Sequence, residues 1–293
     1  MPEITDHPAF AFERAEGGVE AYRHRANGLT ALLLPDPAGE AAPPVAAFQV
    51  TYRVGSRNEG AGLTGATHLL EHLMFKGSER FNRDLGTSVF QVLQSVGGSI
   101  NATTWYDRTN YFAVLPEDQL HLAVEVEADR MRGARVRDED LASERTVVLN
   151  ELDRGENEPL RKLLHAVYST AFQAHPYGHP VIGWRSDVET VTADGLRHFY
   201  DTYYWPSRAT ASVAGKFDRQ TAPFPPGRRN QKTPPPPSST ETRTTRLRAS
   251  RSSAAPAARR SRWPANSAPS SSPTKRPPGS ARPRTRWTSS CRS

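Results

Sequence analysis

The chain has 293 residues, 36% of them hydrophobic, one cysteine and a formal net charge of +7. The lone Cys291 excludes a disulfide framework within the chain, so the fold must rest on a packed core or a metal. The charge is unevenly placed: residues 219–293 carry 17 Lys and Arg against one acid, Glu241, whereas residues 1–218 carry 21 bases and 30 acids, which argues against reading the whole chain as a basic nucleic-acid binder.

Residues 1–17 read as a loose leader. They lack the basic and apolar regions of a signal peptide, which predicts a cytoplasmic location. No apolar run approaches the length of a membrane span. Residues 19–23 and 29–34 are strand candidates separated by Ala26-Asn27-Gly28, a hairpin signal. Residues 45–54 form a long strand candidate. A glycine-rich loop over 55–65 leads into an apolar helical run at 67–75. A helix is predicted over 87–96 from Val89, Val92, Leu93 and Val96, followed by strands at 99–104 and 110–115. Residues 117–132 are amphipathic, with Leu120, Ala123, Val124 and Ala128 on one stripe and acids opposite. Helices follow over 138–156, 160–172 after Pro159, and 192–203, with a Pro/Gly loop at 175–180 and a short strand at 209–214. Strands and helices mix without strict alternation, so the fold class is α+β, a mixed sheet packed with helices. From 221 onward Pro, Ser and Arg dominate and no period survives. That predicts a disordered tail over 221–293.

The chemistry concentrates at His68-Leu69-Leu70-Glu71-His72. Histidines at i and i+4 share one helix face, a spacing that lets two imidazoles bind one Zn²⁺ at about 2.0–2.1 Å. Glu71 falls on the same side, where it can accept a proton from a water. A catalytic zinc needs a third protein ligand. Glu144 and Glu151 are seven residues apart and share a face of the 138–156 helix, with Val147 and Val148 as its expected core anchors.

These residues resemble the pitrilysin–insulinase family of zinc peptidases, the inverzincins, which includes the mitochondrial processing peptidase. The resemblance runs from Gly28 to Asp218 and is carried by HLLEHLMFKGSE (68–79), SINATTWYDRTNYF (99–112) and ERTVVLNELDRGENEP (144–159). It implies the metallopeptidase half of a pitrilysin-type clamshell, hydrolysing peptides or unfolded segments with one zinc per chain. His68, His72 and Glu151 would be the ligands, Glu71 the general base and Glu144 the supporting carboxylate. Asn101 and Ala102 would lie on an edge strand that pairs with the substrate backbone. The family pairs two halves, so the implied partners are peptide substrate and a second half-enzyme or a second copy. The alternative is a zinc-binding half that is silent without that partner. Bacterial relatives are often exported, which keeps a periplasmic location open.

Three further readings follow. His175 and His179 lie in the 175–180 loop and are expected to pack or face solvent rather than bind metal; His121, His165 and His198 are expected to be structural or exposed. Trp105 and Tyr106 fit either groove lining or packing. The expected organisation is a catalytic domain over 18–190, the start of a truncated second domain over 191–220, and the basic tail. That tail interleaves only Trp263 and Trp287 with its arginines, so no nucleic-acid partner is expected. The family-like strand ending Val213-Ala-Gly-Lys-Phe-Asp218 gives way at once to this composition, which suggests a shifted reading frame.

Overall fold

The computed structural model describes residues 8–217. The tail over 221–293, and the reading-frame expectation attached to it, lie outside the described residues. The strands are β1 (Phe10–Glu16), β2 (Val19–His24), β3 (Thr30–Pro35), β4 (Val45–Tyr52), β5 (Ser99–Thr104), β6 (Thr109–Pro116) and β7 (Ala209–Gly215). The helices are α1 (Ala66–Leu73), α2 (Val89–Ser95), α3 (Leu120–Gly133), α4 (Asp138–Glu156), α5 (Pro159–Ala171), α6 (Arg185–Thr190) and α7 (Ala193–Tyr203).

All seven strands join one sheet in the order β1-β2-β3-β7-β4-β6-β5. Only the β3–β7 pairing is parallel. Alternation along β4 explains the layering: Ala46, Phe48, Val50 and Tyr52 are buried, and Val45 and Ala47 are exposed. Tyr111, Ala113 and Leu115 of β6 join the same core. Burying each large apolar side chain there stabilises the fold by about 1.5–3 kcal/mol. Val45 and Val114 remain exposed.

The expected 19–34 hairpin is present, with Glu20 opposite Leu33 and Arg23 opposite Thr30. Its turn is longer than two residues. Gly28 has φ of +72°, and its N–H bonds to the His24 carbonyl at 3.0 Å.

Four readings need correction. Residues 10–16 are not loose but form β1, because Phe10 and Phe12 stand two apart and pack on His24 and Tyr22. The boundary expected near residue 190 does not divide the described fold. β7 lies between β3 and β4, pairing Val213 with both Leu33 and Phe48, so residues 191–217 complete the same sheet. On α3, Ala128 is exposed while Glu127 and Arg130 are buried, because the two ions pair with each other inside, one guanidinium nitrogen being left without a hydrogen-bond partner. Val147 is 41% exposed; of the two valines only Val148 is buried, joining Leu141 in the core. The short helix α6 had no counterpart among the sequence-based elements.

Candidate metal centre

α1 carries the motif across the helical layer, with Leu69, Leu70 and Leu73 fully buried. Its opposite side presents His68, Glu71 and His72, each only partly buried. α1 packs on α4 and on β5. One face of α4 therefore delivers Leu141 and Val148 to the core and Glu144 and Glu151 to the histidines, as their spacing predicts.

His68, His72 and Glu151 each offer a ligand atom, and those atoms lie within 4.8 Å of one another. His68 Nε2 is 3.6 Å from Glu151 Oε2. Two donors of a tetrahedral site with bonds of about 2.1 Å stand about 3.4 Å apart, so this pair is already spaced for one ion. His72 Nδ1 lies 2.8 Å from Glu144 Oε2. With Nδ1–H donating to that carboxylate, the Nε2 lone pair stays free for a metal, an arrangement in which an outer carboxylate orients the ligand. Lys76 pairs with the other Glu144 oxygen. Burial alone would raise the Glu144 pKa, but the hydrogen bonds from Lys76 and His72 outweigh it and hold the group below its ordinary value. Burial, with His72 beside it, pushes the His68 pKa down to about 3, so its ring is neutral at pH 7. The buried Nδ1 of His68 has no protein partner. A neutral imidazole, a second imidazole fixed in tautomer and a half-exposed carboxylate fit zinc.

Glu71 stays outside this ligand set. Thr104 Oγ1 of β5 donates to Glu71 Oε2 at 2.5 Å and orients it. Burial raises the Glu71 pKa; Glu151 adds to this, while Thr104, His72 and Arg108 oppose it. β5 is the sheet edge, paired only with β6. Asn101 is exposed and Ala102 is buried on it. The Ala102 N–H bonds to Asn101 Oδ1 at 2.8 Å.

The start of α1 is held from two sides. Gly65, the N-cap, has φ of +86°, and a Cβ there would lie 2.5 Å from the Ile182 carbonyl oxygen. Only glycine allows that backbone crossing. On the other side the buried Glu59 accepts from the N–H groups of Gly65 and Thr67, both at 2.8 Å.

His175 and His179 stay apart from the centre. His175 Nδ1 accepts from the Tyr177 amide, and His179 Nδ1 lies 3.9 Å from Glu59. Among the described residues, His68, His72 and Glu151 are the only group of three positioned to hold a metal. Tyr106 is buried, stacked on Tyr168 at 5.2 Å, whereas Trp105 is half-exposed. Sequence reasoning missed Lys76, Thr104 and Glu59. Lys76 lies four residues beyond His72, and Thr104 lies two beyond Ala102, so helical and strand periods point to both. Glu59 lies in the loop before α1 and carries no periodic signal.

An H-x-x-E-H helix packed directly against a second helix that brings up a distal glutamate is an arrangement of the metallopeptidase type. The chain carries a domain of the insulinase family, peptidase family M16, matched over residues 40–184. It is 37% identical over 210 residues to an uncharacterised zinc protease of Mycobacterium leprae, covering 70% of this chain and 46% of that protein. It is 30% identical over 161 residues to the probable mitochondrial-processing peptidase subunit beta of Arabidopsis thaliana, covering 55% of this chain and 30% of that one. The crystal structure of a protease from Helicobacter pylori is similar with a TM-score of 0.64 and 31% identity, covering 69% of this chain and 47% of that chain. The chain thus spans less than half the length of each of these relatives.

Proposed function

We propose that this chain is the catalytic half of a zinc metalloendopeptidase acting on peptides or unfolded segments. The observation that carries the reading is the facing of His68 and His72 with Glu151, with Glu144 on the far nitrogen of His72. One zinc per chain would sit on the three ligands and supply Lewis acidity, making water acidic near neutral pH and polarising a carbonyl. Glu71, oriented by Thr104, takes the proton of the attacking water and returns it to the leaving amine. Glu144, held by Lys76, keeps the His72 tautomer. The free edge of β5 at Asn101 and Ala102 receives the substrate as an added strand, binding main chain rather than a particular side-chain sequence.

The test separates ligand from base. Glu151→Gln is expected to lower zinc content, measured by elemental analysis of the purified chain. Glu71→Gln is expected to keep zinc and to lose cleavage of a quenched fluorescent peptide; full turnover in that variant would overturn the mechanism.

A second reading, a zinc-binding half that cleaves only with a partner, is favoured by one observation. α5 exposes Leu160, Leu163, Leu164 and Val167 on one stripe. Its partner would be a second half-enzyme chain or a second copy. Cleavage by the chain alone, with size measured in solution, separates the two readings: a monomer that turns over excludes the second.

A further inference from the structure

Glu59 is a fully buried carboxylate that the catalytic roles above do not use. We propose that Glu59 is a positioning residue for the metal site: it bridges the first turn of α1 and so fixes the pitch of His68 toward Glu151. The inference rests on the zinc-site reading.

The geometry carries it. α1 is eight residues long, and its N-cap is a glycine with no side chain to satisfy the helix's free N–H groups. Glu59 supplies that cap from six residues upstream. Its Oε2 takes the Gly65 N–H and its Oε1 the Thr67 N–H, so each oxygen holds one amide. Thr67 immediately precedes His68, and a tilt of this turn displaces the imidazole directly. The other side of the turn is clamped by Thr64, whose N–H and hydroxyl both donate to Asp187.

The ionisable groups around Glu59 bear on when the bridge is complete. His179, from the loop before α6, lies 3.9 Å away and Asp187 of α6 adds negative charge. Arg57, two residues earlier, is engaged by Asp107. Burial raises the Glu59 pKa to about 7 against the hydrogen bonds from Thr67 and Gly65, with Asp187 adding to the rise. A protonated carboxyl turns one oxygen into a donor and gives up one of the two amides. Glu59→Gln imposes that condition at every pH.

The test compares zinc affinity of the full-length parent, Glu59→Gln and Glu59→Asp by chelator competition at pH 6 and pH 8. The histidines are common to all three, so their own protonation cancels in the affinity ratio. At pH 8 both variants are expected to bind zinc about tenfold more weakly than the parent, the lower end of the loss usual for outer carboxylates. Glu59→Asp keeps the charge but is one methylene too short to span both amides. At pH 6 the deficit of Glu59→Gln is expected to shrink toward parity. Zinc affinity at pH 8 within twofold of the parent, in either folded variant, overturns the inference. So does failure of both variants to fold without metal, which would make Glu59 a scaffold residue. A parent that binds no zinc refutes the metal-site reading itself, a distinguishable outcome.

Discussion

Arg130→Met tests how the floor beneath the metal helix is held. The Arg130 side chain is fully buried, and its Nε donates to Glu127 Oε2 at 2.9 Å. A second nitrogen pairs with the other Glu127 oxygen, which makes the contact bidentate. The guanidinium lies over the rings of Tyr111 at 4.3 Å and Phe75 at 5.0 Å. Phe75 follows α1 directly, and Tyr111 belongs to the strand beside β5. Removing Arg130 leaves a buried, uncompensated carboxylate, which costs about 3–5 kcal/mol. For a domain of this size each kcal/mol moves the melting temperature by about 2–4 °C, so a fall of roughly 6–20 °C is expected. Urea unfolding of the metal-free protein at neutral pH measures it, with the m-value checking that cooperativity is kept. The double variant Arg130→Met/Glu127→Leu removes both charges and is expected to recover most of the loss. The reasoning is refuted if the single variant loses less than about 1 kcal/mol, or if the double variant is no more stable than the single.

Two further outcomes are expected. Glu144→Gln leaves His72 without its charged acceptor and Lys76 without its partner, so zinc affinity should fall about 10–100-fold, read by chelator competition. The pH dependence of stability should carry a signature of Glu59. Its folded pKa, about 7, exceeds the ordinary 4.5, so the folded state binds this proton more tightly than the unfolded state. Its contribution is therefore fully present below pH 4.5 and is lost as pH rises through 7, by up to about 3 kcal/mol. In metal-free protein, Glu59→Gln should become more stable relative to the parent between pH 5 and pH 8. Parallel curves for the two proteins would contradict it.

The legible parts of the fold were those written within one element. Unbroken strand-like runs exposed β4 and β6, apolar residues at helical spacing exposed α2, and Asn27-Gly28 marked the first hairpin. The same logic paired His68 with His72, and Glu144 with Glu151, because each pair lies on a single helix. What failed was long-range closure. Nothing local shows that the strand at 209–215 inserts between β3 and β4, since its partners lie more than 150 residues away in sequence. α3 departs from its amphipathic reading because a charged residue need not lie at the surface. Glu127 and Arg130 are three apart on one helix and pair with each other, which makes their joint burial tolerable. Glu59 was hidden for a different reason: a cap delivered from a loop to a helix without its own capping side chain follows neither period.

Those hidden contacts bear on what the chain can do. The proposed ligands and base, and the groups proposed to orient them, Glu59, Thr104, Lys76 and Glu144, all fall between residues 59 and 151, inside the matched family segment. Zinc binding and substrate enclosure are therefore separable properties here. The first depends on contacts within the described fold, so the Glu151, Glu144 and Glu59 variants can be judged on metal affinity alone. The second, as proposed, would draw on the free edge of β5 and the exposed stripe of α5, surfaces whose use depends on what meets them. Zinc bound tightly without cleavage would leave the site assignment intact and place the deficit at those surfaces, whereas weak zinc in the parent would move it back to α1 and α4.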